Sequence, residues 1–164
     1  MKKFDNILEF VIRWILIVLM AVIVLDVVWQ VLTRFVLNDP SSFTEELAIF
    51  LLIWISLLGS AYALRKKAHL GIDILSNYVS EKQKKVLDII INSIVILICL
   101  LVFVVGGIRL MYITLKLNQI SPALQIKMGY IYSVLPLTGL LMIYYSVAAI
   151  FNNKAEENEV VEDI

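Results

Sequence analysis

Four apolar stretches divide the chain, each long enough to cross a hydrocarbon core, which takes about 20 helical residues. They run over residues 14–35, 47–64, 86–115 and 130–151. A membrane-spanning strand alternates apolar and polar positions, and "LAIFLLIWISLLG" (47–59) does not alternate. Backbone groups in lipid must be satisfied within a helix or a closed barrel, so the pattern predicts four transmembrane helices. The fold class read from it is an all-α integral membrane protein.

Local signals frame these helices. Ser42-Phe43-Thr44-Glu45 fits a capping box, with Ser42 capping the second span. Glu45 and Glu46 fall in its first turn and Arg65, Lys66 and Lys67 at its far end, the arrangement the helix dipole favours. Ser80-Glu81-Lys82-Gln83 repeats the capping pattern and starts the third helix at Glu81. Carried to Lys116, that helix exceeds the bilayer thickness and is expected to tilt or protrude. Pro136 predicts a kink in the fourth. Between spans two and three, Leu70, Ile74, Leu75, Tyr78 and Val79 recur at helical spacing opposite Asp73, Ser76 and Asn77. This segment, 69–79, is too short to span and is expected as an amphipathic helix in the interface. The acidic stretch 152–164 has no apolar face to pack and is expected to be disordered.

Composition sharpens this reading. Of 164 residues, 61% are hydrophobic, well above the roughly 45–50% of a soluble domain. Net charge is zero, which argues against nucleic acid as a partner and leaves the lipid bilayer as the first one. The basic start "MKKF" before an apolar run resembles a signal peptide, but the run is too long for an h-region and is read as a retained span. Lys2, Lys3, Arg13, Arg65, Lys66, Lys67, Lys82, Lys84, Lys85 and Lys154 fall on one side of the membrane; Arg34, Lys116 and Lys127 fall on the other. The positive-inside rule therefore places both termini and the 65–85 connection in the cytoplasm.

Asp26, Gln30 and Arg34 recur at i, i+4, i+8 on the first helix and form a polar stripe. A charge at the centre of a span costs about 2.5–3.5 kcal/mol on insertion scales, so Asp26 is not expected to face lipid alone. A contact with another helix or subunit, or with Arg34 by way of Gln30, explains it more simply than an ion or proton site. Arg109, two turns from the end of its helix, can snorkel or pair with Asp26 or the glutamates. Gly59 and Ala63, four residues apart, permit close helix approach. Dipole stabilisation and solvation account for Glu45 and Glu46 as readily as docking of a partner does.

Catalysis finds no support. His69 is the only histidine and Cys99 the only cysteine, so paired haem ligands, redox cysteines and zinc ligands are missing. No Gly-rich phosphate loop occurs. No catalytic, cofactor-binding or metal-binding residues are assigned.

The order Arg34, Glu45-Glu46, Trp54, Gly59, Arg65, His69, Asp73, followed by "SPALQIKMGYIYSVLPLTGLLM" (121–142), resembles the small membrane subunit of tripartite ATP-independent periplasmic (TRAP) transporters, the DctQ-like family. The resemblance covers most of residues 10–150. It implies a small permease subunit in the bacterial inner membrane. Its partners would be a large membrane transport subunit, which holds the substrate and sodium sites, and a periplasmic substrate-binding protein. The implied solute is a carboxylate of the dicarboxylate or sialic acid type, driven by sodium. On that footing Asp26, Gln30, Arg34, Gly59, Ala63 and Arg109 are candidates for the subunit interface. Ser41, Glu45, Glu46, Asn118, Gln119 and Lys127, on the loops expected to face outward, are candidates for docking the binding protein. The alternative reading is a self-contained four-helix carrier, working as a homodimer with Asp26 as its proton-coupling carboxylate.

Overall fold

Each of the four apolar runs forms a helix. The computed structural model describes residues 2–37, 41–66 and 81–162. Helix α1 is Lys2–Phe35 and α2 is Ser42–Arg65. The third run is built from α3 (Glu81–Ile98), a π-helical segment (Cys99–Gly106) and α4 (Gly107–Lys116). A short helix α5 (Met128–Tyr132) leads into α6 (Val134–Glu162). The stretches long and apolar enough to cross a membrane are Asp5–Phe35, Ser42–Arg65, Val86–Lys116 and Met128–Phe151. Among the described residues there is no strand, only an isolated antiparallel bridge between Ile120 and Lys127.

The chain divides into two compact units. The first comprises Met1–Tyr62 and Arg109–Val134. Here α1 packs along a narrow seam: Ile12, Leu16, Leu19, Ile23, Asp26, Gln30 and Thr33 are buried or half-buried, while their neighbours are exposed. The spacing alternates four and three, the signature of a single helix–helix seam. Its first four positions are apolar and its last three polar. Thr33 donates its hydroxyl to the Gln30 carbonyl at 2.9 Å. Arg34 lies off the seam and is exposed, because a 3.5-residue repeat takes position 33 after 30, not 34.

In the same unit α4 ends in a Schellman motif. Asn118 adopts φ 47°, its N–H bonds the Leu115 carbonyl at 3.1 Å, and the Gln119 N–H bonds the Thr114 carbonyl at 3.0 Å. The chain then doubles back. The Met128 N–H donates to the Gln119 carbonyl at 2.9 Å and the Ser121 N–H to the Ile126 carbonyl at 2.9 Å. Ser121 is fully enclosed, and Gln125 takes φ 56° at the turn. Gly129, in α5, sits where any Cβ would overlap the Leu115 side chain, so α5 closes tightly on α4.

The second unit comprises Ala63–Ile108 and Leu135–Ile164. The third and fourth runs meet closely here. A Cβ on Gly139 would lie 2.7 Å from the Phe103 Cβ and 3.3 Å from the Cys99 carbonyl oxygen. One on Gly107 would lie 2.9 Å from both the Leu135 Cβ and the Pro136 Cδ. The wide π-helical coil coincides with this approach, and the Gly107 N–H returns the backbone to the α-helix by bonding the Phe103 and Val104 carbonyls. Buried Cys99 approaches the Met142 sulfur at 3.8 Å. The Arg65 guanidinium lies 5.6 Å from the Tyr145 ring centroid, a cation–π contact.

Three expectations meet the structure differently. The third helix is interrupted by the π-helical segment where the sequence predicts one continuous α-helix. The fourth breaks at Ser133, three residues before Pro136. The ring of Pro136 removes the hydrogen bond to the Tyr132 carbonyl and crowds it, so the first turn separates as α5. Beyond Phe151, α6 continues to Glu162 where disorder is expected. Ala155, Glu156, Glu157 and Glu159 have high or moderate helix propensity and extend an existing nucleus at little cost. The amphipathic segment expected at 69–79 lies outside the described residues.

Candidate functional site

A two-pronged polar contact joins the second span to the loop before the fourth. Glu46 lies in the first two turns of α2. Its Oε2 accepts the backbone N–H of Ala123 at 2.9 Å and of Leu124 at 2.7 Å. Ser121-Pro122-Ala123-Leu124 makes a single helical turn, closed by the Gln125 N–H on the Ser121 carbonyl at 3.2 Å. Such a turn leaves its second and third N–H groups without local acceptors, and a carboxylate satisfies both at once. Pro122, at the first position of the turn, has no N–H to satisfy. A groove of about 350 Å³ beside this clasp is lined by Ser42, Glu45, Glu46, Ile49, Pro122 and Ala123. Glu45 is exposed there while Glu46 is half-buried, so two adjacent glutamates have different surroundings.

A second tie lies about two turns further along α2. The Trp54 indole N–H donates to the Ile131 carbonyl at 3.2 Å. Ile131 lies in α5, two residues before the Ser133 break, and the indole supplies a donor to its carbonyl. Trp14, Trp29 and Trp54 do not fall at one depth in the sequence, so at least one of them is expected to pack against protein. The role of Trp54 needed the location of the break, which the sequence placed only approximately.

The other candidates separate by exposure. Asp26 is buried, 8% exposed, and its Oδ2 is enclosed without a hydrogen-bond partner. Gln30 is half-buried beside it on the seam, and Arg34 is exposed with its guanidinium 5.9 Å from the Phe35 ring centroid. Arg109 is exposed on α4. A Cβ on Gly59 would meet nothing within 4 Å, so this glycine fronts open space within the chain, and Ala63 is exposed. Ser41 immediately precedes α2, one residue ahead of the cap position read from the sequence, and its carbonyl accepts the buried Thr44 hydroxyl at 2.9 Å. Asn118, Gln119 and Lys127 all expose their side chains, while their backbones hold the Schellman turn and the Ile120–Lys127 bridge.

A cleft of about 550 Å³ brings members of both candidate sets together. Asp26, Trp29 and Leu32 of α1 line it with Ser41, Thr44 and Leu47. Thr33, Thr44 and Ser121 are buried polar groups that sequence reasoning passed over. Their small hydroxyls give no signal in a hydropathy pattern, and only the 3.5-residue spacing of Thr33 pointed inward.

Among the described residues no group of three or more His, Cys, Asp or Glu side chains converges to hold a metal ion. The chemistry these arrangements offer is mechanical: loops tied to helices, and helix faces left open to neighbours.

Comparison with known proteins bears on which neighbours. Residues 23–155 match the family model for the DctQ component of tripartite ATP-independent periplasmic transporters. The chain is 30% identical over 135 residues to the sialic acid TRAP transporter small permease protein SiaQ of Vibrio cholerae, covering 82% of this chain and 76% of that one. It is 31% identical over 124 residues to the sialic acid TRAP transporter permease protein SiaT of Haemophilus influenzae, covering 73% of this chain but 19% of that protein. A putative TRAP transporter small permease protein of Haemophilus influenzae is 25% identical over 124 residues, 76% of this chain and 75% of the relative. With a family model matched along most of its length and four apolar helices of membrane-spanning length, this multi-pass membrane protein belongs to the DctQ family of TRAP transporter small permease subunits.

Proposed function

We propose that this chain is the scaffold of a sodium-driven, binding-protein-dependent secondary transporter, braced against a large permease subunit that carries the solute. The observation that carries this reading is the alignment with SiaT. The chain corresponds to 19% of that protein, as a small part of a larger permease would. The helix surfaces agree. Only 6% of the most apolar stretch of the first span is buried within the chain, and 6% of the third, against 28% of the fourth. Most residues of the first and third spans are thus left at least partly exposed to lipid or to another protein. Few charges lie at membrane depth, which makes a poor aqueous pathway and a workable support.

In this reading Asp26, Gln30, Arg34, Gly59, Ala63 and Arg109 belong to the surface that meets the large subunit. Ser41, Glu45, Glu46, Asn118, Gln119 and Lys127 belong to the periplasmic side, where a substrate-binding protein docks. The Glu46 clasp fixes the shape of that side. The membrane is the bacterial inner membrane, with both termini cytoplasmic. The solute is a carboxylate of the sialic acid or dicarboxylate type.

Reconstitution tests the scaffold. Vesicles holding the large subunit with this chain, given binding protein and a sodium gradient, are expected to accumulate solute. Vesicles holding the large subunit alone are expected to lose that uptake, and full uptake without this chain would remove the scaffold role. The enclosed Asp26 Oδ2, without a hydrogen-bond partner, favours one second reading, a homodimeric proton-coupled carrier. Purified chain without companions would then drive proton-coupled solute uptake that Asp26→Asn abolishes. The scaffold reading expects no uptake from either.

A further inference from the structure

The seam of α1 changes character along its length. Ile12, Leu16, Leu19 and Ile23 are apolar; Asp26, Gln30 and Thr33 continue the same line with polar groups. Thr33 is satisfied by the carbonyl one turn back. Asp26 is not: it is more than nine-tenths buried and its Oδ2 has no donor. A buried carboxylate without donors is expensive, and one at membrane depth more so.

The surroundings of Asp26 say where a donor has to come from. It lines the open cleft of about 550 Å³ whose walls are otherwise mostly apolar: Leu25, Trp29 and Leu32 from α1, Phe43 and Leu47 from α2. Leu25 is 70% exposed and Trp29 55%, so the walls present a large uncovered apolar surface. Asp26 lies nine residues before the end of α1 at Phe35, about 13 Å along the axis at 1.5 Å per residue. A lipid headgroup does not reach that depth. Arg34 sits two turns further along the same helix, against the Phe35 ring. Arg109 is exposed on α4. An occupant that covers Leu25 and Trp29 and also brings positive charge to mid-membrane depth has the form of a transmembrane helix bearing one basic residue.

We infer that the cleft between α1 and the start of α2 receives a transmembrane helix of the large permease subunit, which presents a lysine or arginine to Asp26. This rests on the scaffold reading. Each of the two charges is costly in lipid alone, and docking removes both costs together while covering the apolar walls. The pair makes the subunits specific for one another, because a partner lacking the cation leaves Asp26 buried and unmatched.

Co-expression of this chain with the large subunit tests it in the intact complex. Asp26→Lys is expected to reduce the large subunit recovered with this chain by at least about tenfold, the loss typical of breaking a buried charge pair. Exchanging one intramembrane lysine or arginine of the large subunit for Asp is expected to restore recovery with Asp26→Lys. With Asp26 left intact, a photo-crosslinking amino acid in place of Leu25 or Trp29 is expected to capture the large subunit, whereas one at exposed Val24, outside the cleft, is not. Undiminished assembly of Asp26→Lys overturns the inference while the scaffold stands. So do crosslinks from Leu25 and Trp29 that reach only lipid or a second copy of this chain. If the wild-type chain recovers no large subunit, the scaffold reading fails and the inference with it.

Discussion

Glu46 ties the loop before the fourth span to α2. It holds two backbone N–H groups with one carboxylate oxygen. Glu46→Ala leaves both donors without that acceptor, and the loop is expected to lose about 2 kcal/mol of local stability. Amide exchange at Ala123 and Leu124 in a reconstituted bilayer is the direct readout, with protection falling about thirtyfold. Glu46→Gln keeps a neutral acceptor and should fall between the two. Glu45→Ala, on the exposed neighbour, should leave those amides unchanged. Asn118 gives a second residue-scale outcome. Its φ of 47° suits Asn or Gly and opposes a β-branched side chain. Asn118→Gly is therefore expected to be near neutral, and Asn118→Val to lower thermal stability by about 1–2 kcal/mol. The sequence offered the glutamate pair, and its reading could not separate the two members. That separation depends on a contact 77 residues away, which local pattern does not encode.

At the scale of elements, the four spans were legible because lipid imposes one requirement on every backbone group within it. Their internal breaks were less so. Pro136 announced a kink, since its missing N–H is written in the residue itself. The π-helical segment Cys99–Gly106 has no such mark; it is an unbroken apolar run closed by glycines, and its coil is tied to what packs beside it. The glycines show the same limit. Gly59, Gly106, Gly107 and Gly139 read alike in sequence, yet Gly107 and Gly139 meet the opposite helix and Gly59 meets open space. Gly139→Ala is expected to cost about 1–3 kcal/mol by overpacking against Phe103. Gly59→Ala is expected to stay within about 0.5 kcal/mol in the isolated chain. Thermal unfolding in one detergent compares them. Gly107→Ala should be destabilising for the same reason as Gly139→Ala. Combined with Pro136→Ala, which removes the Cδ it would strike, the cost should be less than the sum of the single changes. Strict additivity would mean that the two residues are not in contact.

The whole molecule has a charge asymmetry from which its orientation in the bilayer is expected. The clusters Lys2–Lys3 and Arg65–Lys67, together with Lys82, Lys84 and Lys85, lie at ends of spans that an even number of crossings brings to one side. The connection carrying Glu45 and Glu46, and the loop carrying Asn118 to Lys127, lie on the other side with few basic residues. Insertion retains short basic segments in the cytoplasm, so the Glu46 clasp is expected to face the periplasm. Sided labelling checks this in a Cys99→Ser background. The native thiol is already buried, but removing it leaves the introduced cysteine as the sole target. Gln125→Cys, exposed on the loop, is expected to react with a membrane-impermeant maleimide in intact cells. Lys66→Cys, exposed past the end of α2, is expected to react only after the inner membrane is opened. The reverse pattern would turn the clasp toward the cytoplasm. It would remove Ser41, Glu45, Asn118 and Lys127 from reach of any periplasmic partner while leaving the Asp26 cleft, which lies at membrane depth, as available to a neighbouring helix as before.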